Sequence, residues 1–148
     1  TVGNATGTAA AIGNSFSSVS QDTLESDILQ DTSSDYVSST LDLLEASAGG
    51  DVNMTGAAIA NSASFEADGK LDADAEQTNT AAIESLVDGN VSESGGEVKL
   101  TAAALANSFS GSAAGDSEVG TLQENDGSEV RSLVIPGDEL SRANSSFC

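Results

Sequence analysis

The chain of 148 residues has no Trp and no His, one Tyr, one Cys, one Pro and only four Phe. Without large aromatics a broad globular core cannot be filled. The interior must instead be thin, lined by Ala, Ser, Gly and Thr, with Leu, Ile and Val as scattered larger plugs. With no His, and with its one Cys at the last position, the chain lacks the usual convergent nucleophile and base. A carboxylate pair such as Glu25 with Asp27, or Asp72 with Asp74, would be needed for glycoside hydrolysis, yet the aromatic surface on which sugars stack is missing. Neither enzyme activity nor a cofactor is expected.

Positive charge is the other scarcity. Lys70, Lys99, Arg131 and Arg142 stand against 24 acidic residues, for a formal net charge of -20. Such a chain repels nucleic-acid backbones and gives an anionic membrane surface nothing to hold. No apolar run approaches the roughly 18 residues of a membrane span, so membrane insertion is not expected. The same acidity suits a soluble outer surface or a disordered chain. The chain starts at Thr1, with no Met and no charged or apolar leader, and reads as a processed, exported product or as an excised fragment. Cys148 cannot form an intrachain disulfide; it is a free terminal thiol or, in an oxidising compartment, a link between subunits. Asn4, Asn53, Asn90 and Asn144 open Asn-X-Ser/Thr triplets, which so Ser- and Thr-rich a chain produces by composition alone.

What is present is repetition. "GGDVNMTGAAIANS" (49–62) and "GGEVKLTAAALANS" (95–108) agree at nine of fourteen positions at an offset of 46, and "TAAAIGNS" (8–15) agrees with 55–62 at six of eight at an offset of 47. Gln30, Gln77 and Gln123 each lie 16 residues after Asn14, Asn61 and Asn107. The pattern restarts at Asn144 in "RANSSF" after a shorter interval. A period in this range implies units that bury their apolar faces only against their neighbours. One period holds either one large coil or two smaller ones.

Alternation in "DVNMT" and "EVKLT" puts Val52 with Met54, and Val98 with Leu100, on one face, as a half-buried strand requires. Phe16, Phe65 and Phe109 lie at even distances from their Asn, so in extended chain all three face one side as repeated core plugs. A helical reading competes at Ile83, Leu86 and Val87, spaced i, i+3 and i+4, and at Leu41 with Leu44. Frequent Gly, Ser, Thr, Asn and Asp favour strands. The expected fold is mainly β, a repetitive β-solenoid of strand-turn-strand coils with room for short helical segments. It forms a single domain over 1–148 with repeats at approximately 5–48, 49–94 and 95–137, and a partial repeat or assembly strand at 138–148.

Stacked coils place equivalent side chains about 4.8 Å apart. An amide both donates and accepts, so Asn14, Asn61, Asn107 and Asn144 suit a self-bonding column, with Gln30, Gln77 and Gln123 as a second. Asn residues that merely end a strand and satisfy a turn would give the same pattern. Asp68, Asp72 and Asp74 offer hard oxygens for calcium, but their spacing is not that of an EF-hand, and a solvated flank is the simpler reading, so no metal site is expected. Thr8, Thr55 and Thr101 give one Thr per long repeat, too few for an ice-binding array.

The "AIGNS", "AIANS" and "ALANS" units with distant Gln resemble the curli-type amyloid subunits. They are still more similar to the repetitive Ala/Thr/Asn-Ser surface proteins of alphaproteobacteria, including holdfast-anchoring proteins that attach adhesive polysaccharide to the cell envelope. The similarity covers most of 5–125; this chain has a longer period than curli repeats and far more negative charge. The resemblance implies an exported fibre-forming or anchoring protein without enzyme activity. Open solenoid ends favour copies of the chain stacking head to tail into an extracellular or cell-surface filament, with Cys148 near the junction and a cell-envelope or polysaccharide anchor as a further partner. A monomeric β-solenoid adhesin or polysaccharide-binding module is the alternative.

Overall fold

The structure is a computed structural model describing residues 3–126 and 129–136. It contains nine strands: β1 (Ala5–Ser20), β2 (Leu24–Thr32), β3 (Tyr36–Ala48), β4 (Val52–Ala67), β5 (Leu71–Asn79), β6 (Ala82–Ser94), β7 (Val98–Ala113), β8 (Ser117–Asn125) and β9 (Val130–Pro136). Each successive trio makes one coil. The coils stack through three parallel sheets, ordered β1-β4-β7, β2-β5-β8 and β3-β6-β9. Because Ile12 pairs with Ile59 and Ile59 with Leu105, the sequence period of 46 to 47 is the length of one complete coil.

Alternation decides which side chains enter the interior. Along β4 the buried residues are Val52, Met54, Gly56, Ala58 and Ala60, then Asn61, Ala63, Phe65 and Ala67, so the parity switches between two adjacent buried positions. The strand pairing steps over Gly13, Ala60 and Ala106 at that point in every coil. This local irregularity turns the following Asn inward. The first half of the long strand packs on the third strand of the coil, Ala58 and Ala60 against Ala81 and Ile83, and Val52 and Met54 against Val87 and Val91. Its second half packs on the second strand, Ala63, Phe65 and Ala67 against Leu71 and Ala73. The coil is therefore flattened: one long wall is opposed by two shorter ones, with a corner at Thr80 and Ala81.

Small residues are required by this thinness. A Cβ on Gly56 would come within 2.9 Å of both Ser85 Oγ and Val87 Cγ2 on the opposite wall. The Gly-Gly corners lie between coils, where Val52 N donates to Glu97 O at 2.8 Å and Asp51 Oδ1 accepts from Glu97 N at 2.9 Å. Asp51 and Glu97 themselves stay exposed.

The helical reading of the aliphatic clusters is overturned: no helix occurs among the described residues. Ile83 and Val87 are buried within β6 while Leu86, between them, turns to the outer face, which is the period of two of a strand. The apparent helical stripe arose because an outward Leu completes an i, i+3, i+4 triplet by chance.

The Phe residues interlock in two columns. Phe16, Ala63 and Phe109 are in register, as are Ser18, Phe65 and Gly111, so the middle ring sits beside the gap that Ala63 leaves. Phe65 lies 5.5 Å from both Phe16 and Phe109 between ring centroids. A Cβ on Gly111 would meet Phe109 Cε1 at 3.3 Å, so the small residue makes room for the ring. Phe65 is 1% exposed, and Phe65→Ala is expected to destabilise the stack by about 3–5 kcal/mol, read from denaturant unfolding followed by circular dichroism.

Candidate functional site

The interior holds columns of amides where the long wall meets the corner. Asn14 Nδ2 donates to Asn61 Oδ1 at 2.9 Å, and Asn61 Nδ2 donates to Asn107 Oδ1 at 2.8 Å. Each Asn also reaches the opposite wall, to the carbonyls of Asp31, Thr78 and Glu124 at 2.8, 2.8 and 2.9 Å. The two hydrogens of Asn61 are thus spent, one along the stack and one across it. Asn61 is fully buried, an environment in which any unpaired polar atom would be expensive.

Gln30, Gln77 and Gln123 form a second column that runs the other way. Gln77 Nε2 donates to Gln30 Oε1 and Gln123 Nε2 to Gln77 Oε1, both at 2.7 Å. Gln30 and Gln77 also donate to Ser62 O and Ser108 O, on the long strand of the next coil. From amide to amide, the Asn column donates toward the C-terminal coil and the Gln column toward the N-terminal coil, so the two columns run with opposite polarity.

A third column, with no part in the sequence reading, consists of Thr32, Asn79 and Asn125. Asn79 Nδ2 donates to Asn125 Oδ1 at 2.7 Å and to Ala81 O at 3.0 Å, and Ala81 N donates back to Asn79 Oδ1 at 3.1 Å. Asn79 therefore closes the corner as well as continuing the stack. Its signal was the recurrence of a polar residue two positions after each Gln. Thr32 Oγ1 donates to Asn61 Oδ1 at 2.7 Å and so joins the first and third columns. Asn144 and Cys148 lie outside the described residues.

The outer walls differ in charge. The β2-β5-β8 wall turns out Glu25, Asp27 and Asp31, then Asp72, Asp74 and Glu76, then Glu118 and Glu124. Lys70, beside this wall, donates to Asp72 Oδ2 at 3.0 Å, and that bond, with the carboxylate charge, raises the lysine pKa above its ordinary value. Among the described residues no group of three or more His, Cys, Asp or Glu is placed to hold a metal ion. The β1-β4-β7 wall, by contrast, shows columns of Thr (8, 55, 101), Ala (10, 57, 103), Ile or Leu (12, 59, 105) and Ser (15, 62, 108 and 17, 64, 110). Lys99 and Glu66 lie at its opposite rims.

Among the described residues both ends of the stack are open strand edges. Ala5 N donates to Asp51 O and Val52 N to Glu97 O, so alternate residues of the long strand aim their N–H groups at the next coil. In β7 the same groups, on Val98, Leu100, Ala102 and Ala104, face no further coil among the described residues.

A thin stack of coils, stapled by buried amides and lined with carboxylates on its β2-β5-β8 wall, is a repeat-built structural protein of the parallel β-solenoid class. The chain belongs to the family described as Holdfast attachment protein D (HfaD), which it matches over residues 1–134. No curated protein and no solved structure matches it. Family membership makes this a non-enzymatic attachment protein of the cell surface, working in a holdfast attachment system. No helix of the described residues is long and apolar enough to cross a membrane.

Proposed function

We propose that copies of this chain join head to tail through their open ends, building an extracellular filament that supports surface anchoring. The observation that carries this reading is the complementarity of the two ends within the amide columns. At the N-terminal end Asn14 offers Oδ1 and Gln30 a second Nε2 hydrogen. At the C-terminal end Gln123 offers Oε1, and Asn107 turns a hydrogen back to Gln77 O at 3.2 Å where an Asn of a further coil would accept it. Stacked head to tail, donor meets acceptor in both columns. Two N-terminal ends would instead meet with their strands antiparallel, and the parallel in-register ladder that sets each amide over its equivalent would be lost. The same polarity applies to the strand edges, which add backbone bonds in parallel register.

In this reading 1–148 is one repetitive domain. An envelope or polysaccharide anchor receives the filament.

Cryo-electron microscopy of the concentrated protein tests this. Filaments with strands stacked along the axis, and a subunit rise near the roughly 14 Å that three coils occupy, support it. Monodisperse particles at high concentration overturn it and leave the monomeric adhesin or polysaccharide-binding reading.

A further inference from the structure

We infer that the β1-β4-β7 wall is a second self-association surface, on which two copies pair side by side, each wall a ridge fitted into the other's groove. The ridge is the outward column of Ile12, Ile59 and Leu105, of which Ile12 is 51% and Leu105 46% exposed. The groove is the neighbouring column of Ala10, Ala57 and Ala103, one outward position earlier on the same strands. A two-fold axis parallel to the stack and midway between these columns carries ridge onto groove and groove onto ridge. One rotation satisfies both contacts, as an isologous interface requires. The same operator keeps the two stacks pointing in one direction, so lateral pairing does not oppose growth at the ends.

Charge selects the occupant. A second copy also carries -20, and it cannot approach the β2-β5-β8 wall without pressing carboxylates together. The β3-β6-β9 wall turns out Asp42, Glu84 and Asp88. Among the described residues only the β1-β4-β7 wall presents five successive columns without a charge, so a like-charged partner has one face on which it is not repelled. Parallel in-register strands with small side chains beside branched ones are the geometry that lets two sheets interdigitate without water. The uncharged columns, residues 8 to 17 of the first coil and their partners in the other two, span a face of roughly 480 Å², below the roughly 800 Å² per partner of a standard interface. One pair of subunits therefore associates weakly, and each copy added along the stack extends the same contact.

Thiol pairing tests the register. In a Cys148→Ser background, Ala57→Cys and Ile59→Cys proteins are prepared separately, oxidised alone at high concentration, and oxidised as an equimolar mixture. Ridge in groove brings residue 57 of one copy against residue 59 of the other, whereas 57 to 57 and 59 to 59 are offset by two residues along the strand. The mixed disulfide should exceed either homodisulfide by about five-fold or more, since a bridge demands Cβ atoms about 4 Å apart. Equal yields in all three reactions, or none in any, overturn the inference. The readout does not depend on filaments, so a failure of head-to-tail growth shows separately as a mixed disulfide found only in side-by-side dimers. As a second measurement, the triple variant Ile12→Ser, Ile59→Ser and Leu105→Ser, which extends the Ser columns already on this wall, should abolish the paired species in sedimentation while the circular dichroism stays that of a sheet. Pairing that survives loss of the ridge, or a wall occupied by polysaccharide in place of a second copy, also overturns it.

Discussion

Asn61→Asp is expected to unfold most of the stack at neutral pH. The side chain is fully buried and makes four bonds: it donates to Thr78 O and Asn107 Oδ1, and accepts from Asn14 Nδ2 and Thr32 Oγ1. A carboxylate keeps the acceptor role but turns two donors into an anion facing two oxygens at 2.8 Å. An unpaired charge buried in this way costs about 3–5 kcal/mol, a large share of the stability of a domain this size. The pH dependence identifies the cause. Desolvation and the facing oxygens raise the folded-state pKa of the new Asp above its unfolded value of about 3.9. Raising a carboxyl pKa on folding means that the folded state binds the proton more tightly. Stability is then fully present below the unfolded value and is lost as the pH rises through the folded one. Urea unfolding followed by circular dichroism should therefore show the variant recovering much of its deficit at pH 4, where a protonated carboxyl again supplies a donor. A variant as stable as the parent at pH 7 would mean that the Asn column contributes nothing to the stack.

Column identity was legible because a solenoid converts sequence offset into register. Once Asn14, Asn61 and Asn107 recur at 47 and 46, stacking coils of equal length must superpose them. The number of coils per period was not legible, since corners here are made by ordinary residues such as Ser33, Ser34 and Asp35 as well as by Gly-Gly, and nothing separates them from polar stretches inside strands. The parity switch before Asn61 was also hidden: Ala60 and Asn61 are both buried, which strict alternation forbids. The rule of even spacing placed the three Phe on one face but could not divide them between two columns, because that division depends on Ala63, Ser18 and Gly111 vacating space in neighbouring coils. The aliphatic triplet in β6 misled for a related reason. Leu86 faces outward, half-buried in a column with Thr40 and Leu133, so an apolar residue there says nothing about the interior that Val87 fills. The segregation of charge between walls follows from the same register but becomes visible only when outward positions are read down columns.

Two proline variants should together arrest growth at a dimer. In β7 and β8 the N–H groups of Ala102 and Thr121 point away from the stack, by the alternation that Val52 N to Glu97 O and Leu71 N to Asp116 O define. Ala102→Pro with Thr121→Pro therefore removes no bond within the described chain, and proline is tolerated on an edge strand. Its rings, however, project where the next copy's carbonyls must sit. At the other end the alternate residues face outward, so Thr8→Pro with Asp27→Pro blocks the N-terminal edge by the same logic, with side chains that already point to solvent. Each double variant alone still has one competent end, but a copy of itself offers no matching partner. In the background of the ridge variant, which removes lateral pairs, both should run as monomers in sedimentation with sheet content intact. Mixed at equal concentration, the competent C-terminal end of the Thr8 and Asp27 variant meets the competent N-terminal end of the Ala102 and Thr121 variant. One junction forms and no second can. A mixture that yields heterodimers and nothing larger, with the ridge variant as background to exclude lateral pairs, is the result that polar assembly requires. Filaments from either variant alone would show that growth does not pass through these edges, and a mixture that stays monomeric would show that the open ends do not join.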